Sequence, residues 1–288
     1  LARTVEDKIN KPTQYLILFI IELSYLQYWV IHMFVLYKPT YRPMKVFFMQ
    51  RVIHCMLNLL FPAICPLCRQ RVVDTHHLCV ECWKKVRFVG APCCNQCAMP
   101  LPGEFGGTAL TCGRCRQGSP AFSKTRAVAR YEGAMRDLIL QFKHTDAEEL
   151  TPLLGGWLAQ AGGDLWPDID VIVPVPLTWS RLWRRQYNQA ALLANEVSRL
   201  SAKPLLLGLL KRHRQASGSQ EGLTQRQRQD KVRGAFYLDQ QLKKQIAGKR
   251  ILLIDDVLTS GATLNACAKV LRRPGGAAEV MALVLARR

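Results

Sequence analysis

The chain has 288 residues, 49% of them hydrophobic, and carries 40 Lys and Arg against 21 Asp and Glu, a formal net charge of +19 at pH 7. The length suits one medium domain plus a small one. The charge excludes an ordinary balanced surface and points to an anionic partner, whether nucleic acid, a phosphorylated ligand or an anionic membrane surface.

The first segment stands apart. From Tyr15 to Tyr37 the chain reads YLILFIIELSYLQYWVIHMFVLY, long enough to span a bilayer and ionisable only at Glu22 and His32. Lys38, Arg42, Lys45 and Arg51 follow, so the positive-inside rule places the remainder in the cytoplasm, against the inner membrane if the segment is an anchor. The sequence has no small-residue cleavage site of the secretory kind. The favoured alternative starts translation at Met44, Met49 or Met56 and makes the apolar stretch an upstream artefact. Residues 1–55 are therefore treated as an N-terminal extension.

Residues 56–120 form a cysteine module. Ten of the eleven cysteines precede residue 116, and eight of them make four C-x-x-C knuckles: Cys65 and Cys68, Cys79 and Cys82, Cys94 and Cys97, Cys112 and Cys115. Two thiolates two residues apart bind one metal from a tight turn, and two such turns complete a tetrahedral Zn2+ site. Four knuckles at ribbon-like spacing predict two structural zincs. The rival, a disulfide framework, needs an oxidising compartment, and nothing in the sequence exports this region. The simplest pairing is sequential, with a cross-braced pairing as the alternative. Arg69, Arg71, Lys84, Lys85 and Arg87 decorate the knuckles, and KKVR, RLWRR, KRHR and QRQRQDKVR form basic clusters suited to a polyanion. The module is expected to have a core separate from that of the following domain.

From residue 121 to 288, strand and helix patterns alternate. RAVARY predicts a strand, AMRDLILQFKH and AEELTPLLGGWLAQ helices, DVIVPVP a buried strand and NQAALLANEVSRL an amphipathic helix. PLLLGLL, AFYL, ILLI and EVMALVLA complete the strands, and ATLNACAKVLRR is a helix with a basic last turn. The class is α/β, a mostly parallel sheet covered on both faces. Arg184 and Arg185, in the loop after DVIVPVP, offer planar forks to phosphate or pyrophosphate. The long basic stretch from Lys211 to Phe236, with Arg228 and Arg233, reads as a functional loop.

The segment ILLIDDVLTSGATL, residues 251 to 264, concentrates the chemistry. A continuous apolar run leads to Asp255 and Asp256, then to Val257, Leu258, Thr259, Ser260, Gly261, Ala262 and Thr263. Ligands of open α/β sheets bind beyond the carboxyl ends of the strands. The small hydroxyl-rich loop and the helix N-terminus after it suit a phosphate. The carboxylates would repel that phosphate, so they face sugar hydroxyls or a hard cation such as Mg2+. A sugar phosphate satisfies both halves; the bland alternative is a solvated acidic turn. The segment resembles the signature of type I phosphoribosyltransferases, which bind 5-phosphoribosyl-1-pyrophosphate (PRPP). The resemblance implies that Asp255 and Asp256 contact the ribose hydroxyls with Mg2+ nearby. Residues 259–263 would wrap the 5′-phosphate, and a loop carrying Arg228 and Arg233 would close over pyrophosphate.

Four knuckles, YEGAMRDLI, PVPL, RRQYNQA, QEGLT, VRGAF and the DD motif, in that order, resemble the ComF family, including GntX-type proteins. The resemblance covers about residues 60 to 288. Where such proteins commonly carry R-G-F-N-Q, this chain has Arg185, Gln186, Tyr187, Asn188 and Gln189. It implies a PRPP-binding factor that handles single-stranded DNA in the uptake or use of external DNA, beside uptake machinery at the inner membrane. Lys84, Lys85 and Arg87 are the nucleic-acid candidates. Two other readings stand: a glycosyltransferase moving phosphoribose onto a base or amine, and a PRPP-sensing regulator. No general base is identified, since His144 and His213 read as surface histidines.

Overall fold

In the computed structural model, the described residues are 62–102, 110–118, 120–144, 147–177, 187–213 and 234–288. They fall in one compact unit, Pro62–Arg288. The 15–37 segment and Arg184, Arg185, Arg228 and Arg233 lie outside them. Among the described residues, no helix is long and apolar enough to cross a membrane.

Two short helices, α1 (Val80–Lys84) and α2 (Gly113–Gly118), belong to the cysteine module. Then come β1 (Thr125–Arg130), α3 (Gly133–His144), α4 (Ala147–Ala161), β2 (Val171–Pro174) and α5 (Gln189–Ser201). The chain closes with β3 (Leu210–Arg212), β4 (Phe236–Leu238), β5 (Arg250–Leu258), α6 (Ala262–Arg272) and β6 (Glu279–Arg287).

Four parallel strands lie in the order β1-β6-β5-β2, and β3 and β4 form a separate antiparallel pair. The central strands are the most apolar: Ile251 to Ile254 and Met281 to Ala286 are all 0% exposed, as strands covered on both faces require. Val171, Val173, Ile251 and Leu253 pack towards α6 and the β3–β4 pair. Ile172, Leu252 and Ile254 pack towards α3, α4 and α5. Helices α4 and α5 approach closely at Gly155, where an added Cβ would meet Glu196 Cγ at 2.4 Å.

Three features differ from expectation. PLLLGLL is not one strand. Leu205 makes a single parallel bridge to Ile172, and Gly208, at φ +75°, turns the chain before β3 begins at Leu210. Strand β5 does not stop before the acidic pair, because β6 supplies partners up to Leu258↔Arg287. Strand β2 pairs only as far as Pro174↔Ile254. The acidic pair thus emerges where one side of the strand has lost its neighbour.

The cysteine module also lacks a separate core. Cys94, Cys97, Ala98 and Cys115 share a buried cluster with Phe122, Leu253, Leu264 and Ala282. Gln96 binds the connecting segment through Nε2 to the Phe122 carbonyl (3.3 Å), and Thr125 Oγ1 donates back to the Gln96 carbonyl (2.8 Å). Val86 joins the cluster on the other face of the sheet. The stretch around Phe88 bridges to Ala129 along the open edge of β1.

Candidate functional site

The eight knuckle cysteines come together as two groups: Cys65, Cys68, Cys79 and Cys82, and Cys94, Cys97, Cys112 and Cys115. The pairing is therefore sequential, and cross-bracing is excluded. Both groups are built alike. In the first knuckle of each, Cys65 N donates to Gln70 O and Cys94 N to Met99 O, both at 2.8 Å. The following Arg69 and Ala98 take left-handed φ of 63° and 54°. In the second knuckle, the first cysteine opens helical bonding: Trp83 N to Cys79 O at 2.9 Å, Arg116 N to Cys112 O at 3.1 Å.

The four sulfurs of each group lie within 4.8 Å of one another, with Cys68 to Cys79 at 3.4 Å and Cys97 to Cys112 at 3.7 Å. A tetrahedron with Zn–S near 2.3 Å needs sulfurs about 3.8 Å apart, so each group fits one Zn2+. Four thiolates leave no open position for a substrate, which makes the sites structural. Cys267, by contrast, is fully buried on α6 among core residues.

The second site lies at the carboxyl end of β5. Asp256 Oδ2 meets Lys143 Nζ, in the last turn of α3, at 2.6 Å, with both side chains about one-fifth exposed (20% and 18%). Asp255 is half-buried, and its Oδ1 accepts from Asp256 N at 2.9 Å. Burial, then the neighbouring Asp256 charge, push the Asp255 carboxyl up to about 8, against the lowering effects of that N–H and of Lys143. Alternation along β5 up to Ile254 directs Asp255 towards α6, where its charge adds to burial in raising the Cys267 thiol. Carboxylate oxygens of this kind suit a hard cation or sugar hydroxyls.

The loop from Thr259 to Gly261 connects the strand to α6. Gly261 is the N-cap of α6, at φ +81°, and has no side chain to cap the helix. Ser260 Oγ reaches Ala262 N only at 3.4 Å. The first turn of α6 therefore presents N–H groups to a ligand at the loop, the arrangement that favours an anion.

Two further side chains shape this corner. Asn188 caps α5, accepting from Ala190 N at 3.1 Å, and donates to Val175 O at 3.2 Å. Gln189, 1% exposed, donates through Nε2 to the Lys143 carbonyl at 3.4 Å. Together they tie the end of β2 to the end of α3, whose lysine holds Asp256. Asn188 and Gln189 thus brace this corner without the glycine of the usual motif.

On the other side of the loop, Arg287 is 3% exposed and donates through Nη1 to the carbonyls of Leu258 (2.9 Å), Thr259 (2.8 Å) and Arg288. Burial pulls its pKa below the ordinary arginine value, and Cys97 opposes that shift. Arg287, Cys97, Arg114, Ser260, Asn265 and Lys269 line one cavity of about 460 Å³ between the second ribbon and α6. Asn265 Oδ1 accepts from Ala121 N at 2.7 Å, which fixes α6 to the chain leaving that ribbon.

The structure thus gathers Asp255, Asp256 and residues 257–263 at one sheet end. Lys84, Lys85 and Arg87 lie exposed on the first ribbon, Lys84 bonded to Glu81 at 3.1 Å. Lys143 and Arg287 were not singled out in the sequence. QFKH reads as the basic end of an amphipathic helix, and ARR as a charged terminus. The spacing of Lys143 and Asp256, more than a hundred residues apart, gives no local signal.

Residues 56–116 match the double zinc ribbon domain, and 187–288 the phosphoribosyl transferase domain. Competence protein F of Haemophilus influenzae is 32% identical over 237 residues, covering 81% of this chain and 95% of that protein. The DNA utilization protein YhgH of Escherichia coli is 32% identical over 228 residues, covering 76% and 95%. Competence protein ComFC of Bacillus subtilis is 26% identical over 217 residues, covering 73% and 84%.

Proposed function

Because this chain belongs to the ComF family of competence and DNA-utilisation proteins, we propose that it binds PRPP at the end of β5 and single-stranded DNA on its basic faces. The observation that carries the first half is the juxtaposition of the acidic pair with the open N-terminus of α6. One ligand with hydroxyls at one end and a phosphate at the other fills both. Asp255 and Asp256 would take the ribose hydroxyls and hold Mg2+, which when bound offsets the charge of the pyrophosphate. Lys143 fixes the Asp256 carboxylate in position. Arg184, Arg185, Arg228 and Arg233 remain the candidates for the pyrophosphate.

The DNA half rests on the net charge of +19, on the exposed Lys85 and Arg87 and on the kinship with competence and DNA-utilisation proteins. The working place in this reading is the cytoplasmic side of the inner membrane, beside the machinery that delivers a single strand. The test is direct titration of the full chain with PRPP–Mg2+ by calorimetry and with labelled oligothymidylate by anisotropy. We expect both to bind. Absence of PRPP binding removes the first half, and absence of oligonucleotide binding at low salt removes the second.

A second reading, phosphoribosyl transfer, draws on Lys143, which brings a cation to the edge of the ribose site. There it could help stabilise charge as pyrophosphate departs. Release of pyrophosphate from PRPP in the presence of nucleobases or amines distinguishes it from binding alone.

A further inference from the structure

The first ribbon carries an unusual surface. Trp83 is 45% exposed and Phe88 42% exposed, and their rings lie 4.8 Å apart at 44°. Trp157 of α4, only 8% exposed, packs edge-on against both, at 5.4 Å from Trp83 and 5.5 Å from Phe88. Two half-exposed rings are thus braced from beneath by a buried third. The backbone is fixed as well: Trp83 follows the zinc-site residue Cys82, and the stretch from Arg87 to Val89 is stitched to β1 by Arg130 N to Arg87 O (2.8 Å) and Val89 N to Val128 O (2.9 Å). Rings held this way lose little freedom when something stacks on them.

The charges beside the rings are mainly positive. Lys84, Lys85 and Arg87 are exposed and neighbour the rings in sequence, and the exposed Arg130 follows Ala129, the bridge partner of Phe88. Glu81 is bonded to Lys84 at 3.1 Å, and Glu132 lies 3.7 Å from Arg130. Among the described residues, no ion pair involves Lys85 or Arg87. Aromatic surface alone would suit an apolar protein partner. Aromatic surface interleaved with unpaired cations suits a chain that alternates flat rings with phosphates.

We propose that Trp83 and Phe88 form a base-stacking ledge for single-stranded nucleic acid, with Lys85 and Arg87 taking the adjoining phosphates. This rests on the DNA-binding half of the proposed function and adds where the strand lies and how it is held. A duplex, whose bases are already stacked, gains nothing from the rings. The first zinc is then more than a fold staple, because it holds the ledge in place.

The test compares three full-length proteins, wild type, Trp83→Leu with Phe88→Leu, and Lys85→Ala with Arg87→Ala, against oligothymidylate over a salt series. Leucine keeps apolar cover over Trp157, and zinc content and melting temperature confirm folding. The aromatic variant should bind the single strand at least about tenfold more weakly, since bases stacked on aromatic rings contribute much of single-strand affinity. Its salt slope and its weak duplex binding should not change. The basic variant should instead lose about 1.4 from the slope of log K against log salt, at roughly 0.7 per single-strand phosphate. Photocrosslinking of the wild type to a 5-iodouracil strand should label the peptide carrying Trp83 and Phe88. An aromatic variant that binds as tightly as wild type, with crosslinks elsewhere, overturns the ledge and leaves it to a protein partner. A wild type that binds no oligonucleotide removes the DNA-binding half and the ledge with it.

Discussion

Arg287 Nη1 donates to the Thr259 carbonyl at 2.8 Å from a side chain that is 3% exposed and electrostatically adjacent to Cys97. One buried guanidinium therefore holds the Leu258–Thr259 backbone from below while adjoining the Cys97 sulfur of the second ribbon. A zinc with four thiolates carries net negative charge, which suits a buried arginine beside it. Arg287→Met should accelerate amide exchange across residues 257–263 and weaken PRPP–Mg2+ binding by about tenfold, roughly 1.4 kcal/mol. Exchange unchanged from wild type would show that the loop holds its own shape.

Zinc removal should be felt throughout residues 62–288, because Cys97 and Cys115 sit in the same cluster as Leu253 and Ala282. Chelation is expected to lower the melting temperature of a single cooperative transition. Two separate transitions, only one of them sensitive to chelator, would show independent cores.

Lys143 faces Asp256 at 2.6 Å with only about a fifth of each side chain exposed (18% and 20%). Lys143→Met leaves a half-buried carboxylate without its cation. The expected loss of stability is roughly 1–3 kcal/mol, between the values for exposed and buried pairs. PRPP–Mg2+ affinity should fall with it, and Lys143→Arg should restore part of both. A Met variant as stable as wild type would show the pair to be solvated.

Asp255 makes a pH-dependent contribution of opposite sign to most carboxylates. Its folded value, about 8, lies above the unfolded one. The stability tied to it is fully present below about pH 4 and is lost as pH rises towards 8. Asp255→Asn should therefore stabilise the ligand-free protein near pH 7.5, by at least about 1.4 kcal/mol, one unit of that shift. The advantage should vanish near pH 4, as thermal melts across that range would show. A variant less stable than wild type at pH 7.5 would mean that Asp255 is better solvated than its surroundings suggest.

Much of the site was legible because its signals are local. Ile251 to Ile254 announce a buried strand, the glycine after the acidic pair announces the turn into a helix, and C-x-x-C spacing announces the paired cysteine turns. What was not legible depends on distant pairings. PLLLGLL looks like a strand until Gly208 turns it. Lys143 meets Asp256, and Trp83 meets Trp157, only through the packing of α3 or α4 against other elements. Separate cores were expected for the cysteine module and the domain that follows it. The hydrogen bonds of Gln96 and Thr125 across that boundary leave no trace in composition.

The proposal that ILLIDDVLTSGATL binds phosphoribose meets its sharpest test in calorimetric titration of PRPP–Mg2+ into the Asp255→Asn, Asp256→Asn protein. Hydrogen bonds to charged groups contribute about 1.5–3 kcal/mol. Affinity should thus fall at least about tenfold below that of wild type, or roughly 1.4 kcal/mol, with zinc content unchanged. Oligothymidylate should bind the less acidic variant as well as before or slightly better if the strand lies on the basic faces. PRPP binding equal to that of wild type would reduce the motif to an acidic turn.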